Sequence, residues 1–280
     1  MKALILTGGK SSRMGTDKAS LKIGGVTQLD RILSLIRPLT QKIYLSIAHP
    51  SLNQSGCDIQ RSAHDLRPLA DLEPSPGPLG GLQAAFNDDP RSPWLIIACD
   101  LPRLGLSDLK ELMDHHDSQK DVTCFLNPLD NQPEPLCAIY SPSASAKLDK
   151  VIAVNQRCAR RFLTSLDRIE LTPSDPQAFL NMNRPEQLAE LEHLDQYGAV
   201  EKTITVEYFA KLSEEAGTES EDLRTSAATL AGLWDEVRLK HHFTLDLPHV
   251  KPALNNEFAS WDTPLANEQT IAFMPPFAGG

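Results

Sequence analysis

The chain has 280 residues, 41% hydrophobic and 23% charged, which is enough for one large or two ordinary domains and lies within the globular range. Its net charge of −10 argues against a general binder of nucleic acid or of anionic membrane, local basic patches apart. Five cysteines (Cys57, Cys99, Cys124, Cys137, Cys158) are odd in number and form no C-x-x-C pair, as in a reduced protein with ordinary buried thiols. No apolar run is long enough to span a bilayer, and Lys2 is followed by no signal-peptide pattern, so a cytoplasmic protein is expected.

The first element is a short apolar run, Ala3 to Leu6, which reads as a buried strand. Thr7, Gly8 and Gly9 follow, then small residues leading to Arg13, Gly15 and Lys18. Glycines let backbone N–H groups approach a ligand closely, and the two cations offset phosphate charge. The spacing is neither G-x-x-x-x-G-K-[ST] nor G-x-G-x-x-G. Taken alone, a glycine-rich turn after a strand is as often only a turn.

Gln28 to Arg37 carries Leu29, Ile32, Leu33 and Ile36 at helical spacing, and Pro38 stops it. Ile43 to Ala48 reads as a strand; Asn53 to Leu72 is poorly periodic. Ser75-Pro76-Gly77-Pro78-Leu79-Gly80-Gly81-Leu82 makes a rigid turn whose Gly80-Gly81 open a helix with little bulk. It is either a simple loop or a second wall of a phosphate site. Trp94 to Ala98 is the clearest buried strand and ends in Cys99-Asp100-Leu101-Pro102. A carboxylate at the C-terminal end of a parallel strand sits where open α/β sheets bind ligands, and it suits Mg²⁺ as a hard oxygen ligand. The competing role for Asp100 is a helix cap, for which Ser107 is better placed.

Leu106 to Asp114 reads as a helix, Asp121 to Phe125 and Leu136 to Tyr140 as strands, and Ala144 to Val154 and Arg157 to Leu163 as helices. The pairs His115-His116 and His241-His242 lack the i, i+4 spacing of a helical metal site and read as solvated faces. Asn183 reads as a helix cap, with Pro185 early in that helix, and the carbonyls of Asn181 and Asn183 can serve a metal at the same time. Strands alternating with helices predict an α/β fold, a doubly wound, mostly parallel sheet, over residues 1–196.

Gly198 marks a linker, and residues 203–280 read as a second domain. Ile204 to Phe209 alternates as a strand, Ala210 to Gly217 is a helical turn, and Ser220 to Thr225 a strand. Thr229 to Lys240 is a helix carrying Leu230, Leu233, Trp234 and Val237; Pro252 to Ser260 and Thr270 to Met274 hold further strands. This order predicts a small β-grasp domain. The segment ends in Pro275-Pro276-Phe277-Ala278-Gly279-Gly280, a thin extended tail able to enter a narrow channel, although glycine tails also fray for no purpose.

The segment Leu6-Thr7-Gly8-Gly9-x-Ser11-x-Arg13-Met14-Gly15-x-Asp17-Lys18 resembles the L-A-G-G-x-S-x-R-M-G-x-D-K signature of nucleotidyltransferases, most of all the molybdenum cofactor guanylyltransferases (MobA-like). Thr7 replaces the usual alanine, and Gly-Gly with Asp-Lys resembles the guanylyl rather than the cytidylyl branch. The Pro-Gly-Pro-Leu-x-Gly element, Pro135-Leu136-x-Ala138-x-Tyr140 and Asn181-x-Asn183 resemble further family segments, with Arg184 where the family has threonine. The resemblance implies a Rossmann-like three-layer nucleotidyltransferase domain that uses GTP, Mg²⁺ and molybdopterin. It implies that Leu6, Thr7, Gly8, Gly9, Lys18, Asp71, Gly80, Asn181 and Asn183 bind nucleotide or acceptor, that Arg13 and Lys18 offset phosphate charge, and that Asp100 holds the metal. Ser46-Ile47-Ala48 departs from the family's Asn-x-Asn, which leaves base choice open.

Lys202 to Gly280, through Ala253-Leu254-Asn255-Asn256 and Ile271-Ala272-Phe273-Met274-Pro275-Pro276-x-x-Gly279-Gly280, resembles the sulfur-carrier small subunit of molybdopterin synthase (MoaD-like), a ubiquitin-like β-grasp protein. This implies that Gly280 is the reacting end: adenylated by an E1-like enzyme, converted to a thiocarboxylate, and delivered to the large subunit of the synthase. The joint expectation is a guanylyltransferase fused to a sulfur carrier. The alternatives are an inactive or different-base transferase-like scaffold fused to a carrier or partner-binding module.

Overall fold

The structure, a computed structural model, describes residues 1–7, 19, 21–23, 25–49, 66–73, 77–179, 190, 193 and 200–276. The chain divides into two compact units, Met1–Asn181 and Met182–Gly280. Among the described residues no helix is long and apolar enough to cross a membrane.

The first unit runs β1 (Lys2–Leu6), β2 (Lys22–Ile23), β3 (Val26–Thr27), α1 (Gln28–Ile36), β4 (Ile43–Ile47), β5 (Arg67–Ala70), α2 (Pro78–Asp88), β6 (Trp94–Ala98), α3 (Leu106–Asp114), β7 (Val122–Asn127), β8 (Gln132–Tyr140), α4 (Ser143–Ala153), α5 (Ala159–Thr164) and β9 (Arg168–Leu171). Seven strands form one sheet in the order β5-β4-β1-β6-β8-β7-β9. β5, β4, β1 and β6 are parallel, whereas β8 runs against both β6 and β7. Helices cover both faces, so β1 is apolar at every position past Lys2. Ala3 and Ile5 pack with Leu29, Ile32, Leu33 and Ile36 of α1 and Leu109 and Leu112 of α3. Leu4 and Leu6 pack with Leu79, Leu82 and Phe86 of α2 and Leu148 of α4. This is the expected three-layer α/β unit, with one reversed strand in its sheet.

Several local expectations change. β5 lies in the stretch read as aperiodic. It is an edge strand, where Pro68 removes no ladder bond the sheet needs. Neither Asp100 nor Ser107 caps α3: Gly105 holds the N-cap, and its amide donates to Asp108 Oδ2 at 2.7 Å. β8 starts at Gln132 rather than Leu136 because it pairs with β7 from Asn127↔Gln132 onward. Of the histidine pairs, His116 Nδ1 lies 3.3 Å from Thr123 Oγ1, and His241 Nε2 lies 2.6 Å from Glu221 Oε1, so neither belongs to a purely solvated face.

The second unit runs β10 (Lys202–Tyr208), α6 (Lys211–Ala216), β11 (Ser220–Thr225), α7 (Leu230–His241), β12 (Lys251–Leu254), β13 (Glu257–Phe258) and β14 (Thr270–Met274). Its sheet has the order β11-β10-β14-β12-β13, with parallel β10 and β14 joined at the centre. α7 lays Leu230, Leu233, Trp234 and Val237, each 0% exposed, against Ile204, Val206, Ile271 and Phe273. Burial of a side chain of this kind is worth about 1.5–3 kcal/mol. This is the β-grasp arrangement. The single strand expected over Pro252–Ser260 is instead a hairpin turning at Asn255 and Asn256, whose φ of 49° and 70° asparagine tolerates. At the start of α7, Thr229 Oγ1 accepts from Gly232 N at 3.3 Å. The buried Glu190 carboxylate accepts from Thr229 N at 2.6 Å, Thr229 Oγ1 at 2.8 Å and Ala228 N at 3.0 Å.

Candidate nucleotide and acceptor site

Four parallel strands end along one edge of the sheet, and the chain order sets a crevice there. From β1 the chain passes through α1 to β4 on one side, then through β5 and α2 to β6 on the other side of β1. Ligands of open α/β sheets occupy the crevice where the winding reverses, here between the ends of β1 and β6. Cys99 N donates to Leu6 O at 3.2 Å, so Asp100 is the first residue past the last rung.

On the β1 side, Leu6 is 7% and Thr7 9% exposed. Thr7 Oγ1 donates to Ser46 O at 2.8 Å, which ties the end of β1 to β4. Gly8, Gly9, Arg13 and Lys18 lie outside the described residues, as do Asn181, Asn183 and Gly280.

Opposite Asp100 the sheet supplies a second carboxyl. β6 and β8 pair from Trp94↔Tyr140 to Ile97↔Cys137, and the same register continued along both chains sets Glu134 across from Asp100. Glu134 is 5% exposed. Its Oε1 accepts from Leu136 N at 3.1 Å and its Oε2 from Asn127 Nδ2 at 3.4 Å. Burial, and after it the Asp100 charge, push the Glu134 carboxyl up, against the pull of its hydrogen bonds and of Arg160. Among the described residues no cluster of three or more His, Cys, Asp or Glu forms a closed metal cage. Two carboxyl groups close enough for the Asp100 charge to act on Glu134 are a donor set of the kind Mg²⁺ takes, with its other positions left to water or phosphate.

The far wall is α2. Gly77, its N-cap, has φ +69°, a region that disfavours side chains, and Pro78 follows at the first helical turn. Gly80, buried, donates its amide to Gly77 O at 3.0 Å, and no side chain caps the helix. A Cβ on Gly81 would stand 2.6 Å from Leu6 Cδ2 and 3.1 Å from Ser46 Oγ, so α2 sits directly on β1 and β4. Asp71 closes β5, its amide donating to Ile47 O at 3.0 Å. Burial pushes its carboxyl up to about 6, with His49 pulling the other way.

Two further candidates, Glu134 and Arg157, come from the structure rather than the sequence. Glu134 has no local signature beside Pro135-Leu136, and the pairing of β8 with β6 is what brings it to the site. Arg157 was absorbed into a helix, but α5 begins at Ala159. Its Nη2 donates to Glu73 Oε2 at 2.9 Å and its Nε to Asn155 Oδ1 at 3.0 Å. Its Nη1 is buried without a partner among the described residues, and its carbonyl lies 3.7 Å from where a Gly77 Cβ would be. A buried donor left over beside an uncapped helix start suits an anion. The signal in sequence was Asn155-Gln156-Arg157, a turn-forming asparagine ahead of a basic residue; Asn155 has φ 57°.

Residues 3–169 match a family model described as the MobA-like NTP transferase domain, and residues 206–280 match the ThiS family. The chain is 32% identical over 188 residues to a molybdenum cofactor biosynthesis bifunctional protein of Synechocystis sp., covering 67% of this chain and 52% of that protein, so the match spans about half the relative's length. It is 30% identical over 196 residues to a molybdenum cofactor guanylyltransferase of Xanthomonas euvesicatoria pv. vesicatoria, covering 68% of this chain and 93% of the relative. In fold it is similar to the crystal structure of molybdopterin-guanine dinucleotide biosynthesis protein A from Archaeoglobus fulgidus, with a TM-score of 0.58 at 21% identity over 70% of this chain and 99% of the other.

Proposed function

The chain belongs to the MobA-like NTP transferase family and carries a ThiS-family domain after it, and from that premise we propose that it joins two steps of molybdenum cofactor biosynthesis. The first domain, residues 1–196, transfers GMP from GTP to molybdopterin or its molybdenum form. The second, residues 203–280, carries sulfur to molybdopterin synthase. Both act in the cytoplasm.

In the transfer step a terminal phosphate oxygen of molybdopterin bonds to the α-phosphorus of GTP. The bond from that phosphorus to the bridging oxygen breaks, and pyrophosphate leaves. Such chemistry is largely positioning and charge stabilisation. Backbone donors from Leu6 to Gly9 and the start of α2 at Gly80 hold the nucleotide, and Arg13 and Lys18 offset its phosphates. Arg157 suits the acceptor's phosphate, because its Nη1 is a buried donor with no partner among the described residues. Asn181 and Asn183 are assigned to nucleotide or acceptor binding on the family resemblance alone. Asp100, with Glu134 across from it, would hold Mg²⁺, which when bound neutralises charge on the phosphate oxygens. Base reading is assigned to Asp71, a partly buried carboxyl that closes β5. An ionised carboxylate accepts from the N1–H and N2–H groups of guanine.

In the carrier step the Gly280 carboxylate attacks the α-phosphorus of ATP on an E1-like enzyme and pyrophosphate leaves. A sulfide-level donor then displaces AMP, leaving a thiocarboxylate for the large subunit of the synthase. The ThiS-family match over residues 206–280 supports this reading.

The observation that carries the transferase is Asp100 at the winding reversal, one residue past the rung to Leu6. The test incubates the full chain with GTP, Mg²⁺ and molybdopterin and follows pyrophosphate. Asp100→Ala is expected to lose roughly 10²–10³ in rate with the fold intact. Full activity in that variant overturns the reading, and GTP compared with CTP and ATP decides the base. For the carrier, intact-mass analysis after treatment with the E1-like enzyme, ATP and a sulfur donor is expected to show one oxygen replaced by sulfur. Deleting Gly279-Gly280 should abolish that change and leave GTP turnover alone.

A further inference from the structure

Asp100 lies in a turn rather than in the strand, so something must hold the turn still. A side chain from α1 reaches it. Arg31, one turn into α1, donates from Nη2 to Leu101 O at 2.7 Å and from Nη1 to Leu104 O at 2.9 Å. Leu101 O also accepts from Leu104 N at 3.3 Å, so one guanidinium closes both ends of a turn that begins at the residue after Asp100. The side chains of Leu101 and Leu104 are each 1% exposed, in the layer that α1 and α3 share. The leucines therefore pin the turn from below, while the guanidinium sets the direction of its carbonyls. A planar fork reaching two acceptors is a task for arginine; a lysine reaches one.

We propose that Arg31 is a positioning residue for Asp100: by gripping the Leu101 and Leu104 carbonyls it fixes the turn in the orientation that lets the carboxylate hold a divalent cation. The inference rests on the reading of Asp100 as the metal carboxylate and adds the group that aims it. Partners behind a metal ligand typically change metal affinity or activity by roughly 10–100-fold when removed. Arg31 touches neither nucleotide nor metal in this account, so its effect is indirect.

The test uses the full chain as wild type, Arg31→Lys, Arg31→Met and Asp100→Ala. Mn²⁺ alone is the probe, titrated by electron paramagnetic resonance, and hydrogen exchange of the 101–108 segment is followed in the same samples. Arg31→Met keeps much of the apolar stem and removes both donors; it is expected to weaken Mn²⁺ binding about 10-fold or more and to speed exchange in 101–108. Exchange in β1 and β6 should not change. Arg31→Lys, with a single donor nitrogen in place of the fork, is expected to fall between. A lowered melting temperature with unchanged Mn²⁺ affinity in both variants overturns the proposal, as does unchanged exchange in 101–108. Equal Mn²⁺ binding by wild type and Asp100→Ala instead refutes the metal role of Asp100 and with it the aim assigned to Arg31, while the exchange data still report on the grip.

Discussion

Glu190 and Gly232 share one small volume: a methyl group on Gly232 would stand 2.3 Å from the Glu190 carboxyl carbon. The missing side chain is what admits a carboxylate to the start of α7, where it takes the Thr229 amide at 2.6 Å. In an isolated helix, Gly→Ala gains up to about 1 kcal/mol. Here the added methyl displaces Glu190, and hydrogen bonds to a charged group are worth about 1.5–3 kcal/mol. Gly232→Ala is therefore expected to lower the stability of the second unit. In a Glu190→Ala background the same change should raise it. Urea unfolding of the four members of this cycle checks the reversal of sign; additive effects would sink it.

Gly81→Ala tests how closely α2 sits on the sheet. The new methyl meets Leu6 Cδ2 at 2.6 Å in a packed layer, and overpacking of this kind costs about 1–3 kcal/mol. Thermal unfolding should show that loss. The KM for GTP should also rise, because the start of α2 moves with the helix; an unchanged KM beside a lower melting temperature would separate α2 from the nucleotide.

Asp71 gives a pH dependence. Its folded-state value, about 6, lies above the ordinary 3.8, so the folded chain holds this proton more tightly than the unfolded chain does. The stability linked to it is complete below 3.8 and is lost as pH rises through about 6. Asp71→Asn abolishes that dependence, so its stability relative to wild type should climb across the same window. In binding, wild-type KM for GTP should fall as the carboxylate ionises, and the Asn variant should show a flat, higher KM. A wild-type KM that does not change across this window removes Asp71 from base reading.

Thr7 stands where the family signature has alanine, and its hydroxyl has a measurable task. Thr7→Val keeps the shape and removes the bond to Ser46 O, which should cost about 0.5–1.5 kcal/mol. Thr7→Ser keeps the hydroxyl and should cost less. Equal losses in chemical denaturation would mean that packing, not the hydrogen bond, is what Thr7 supplies.

Periodicity located the elements that are buried on a regular face. α1, β6 and α3 fall within a residue of the expected ends, and Leu230, Leu233, Trp234 and Val237 all point into the core of the second unit. It could not locate β5, a four-residue edge strand with exposed Arg67 and Pro68, because half-wet strands carry little pattern. Ser107 looked like a cap, yet the carboxylate of Asp108 already serves the Gly105 amide, a competition that residue type alone does not rank. Asp100 and Asp71 stand out in sequence as candidates because each follows a strand or matches a family segment. Glu134, Arg157 and Arg31 were not, because each owes its place to a partner far along the chain. A register with β6, a donor beside α2 and two carbonyls in another loop leave no local trace.

The reversed direction of β8 has an evolutionary consequence. Its beginning, not its end, lies on the ligand edge, so the β7–β8 hairpin tip at Pro128–Asn131 stands beside Glu134, while Ser141 and Pro142 face away at the opposite rim. Hairpin tips accept insertions and deletions more readily than buried strands do. A lineage could thus reshape the mouth for a bulkier or smaller acceptor by lengthening or trimming a surface loop, leaving the interior that carries Asp100 untouched.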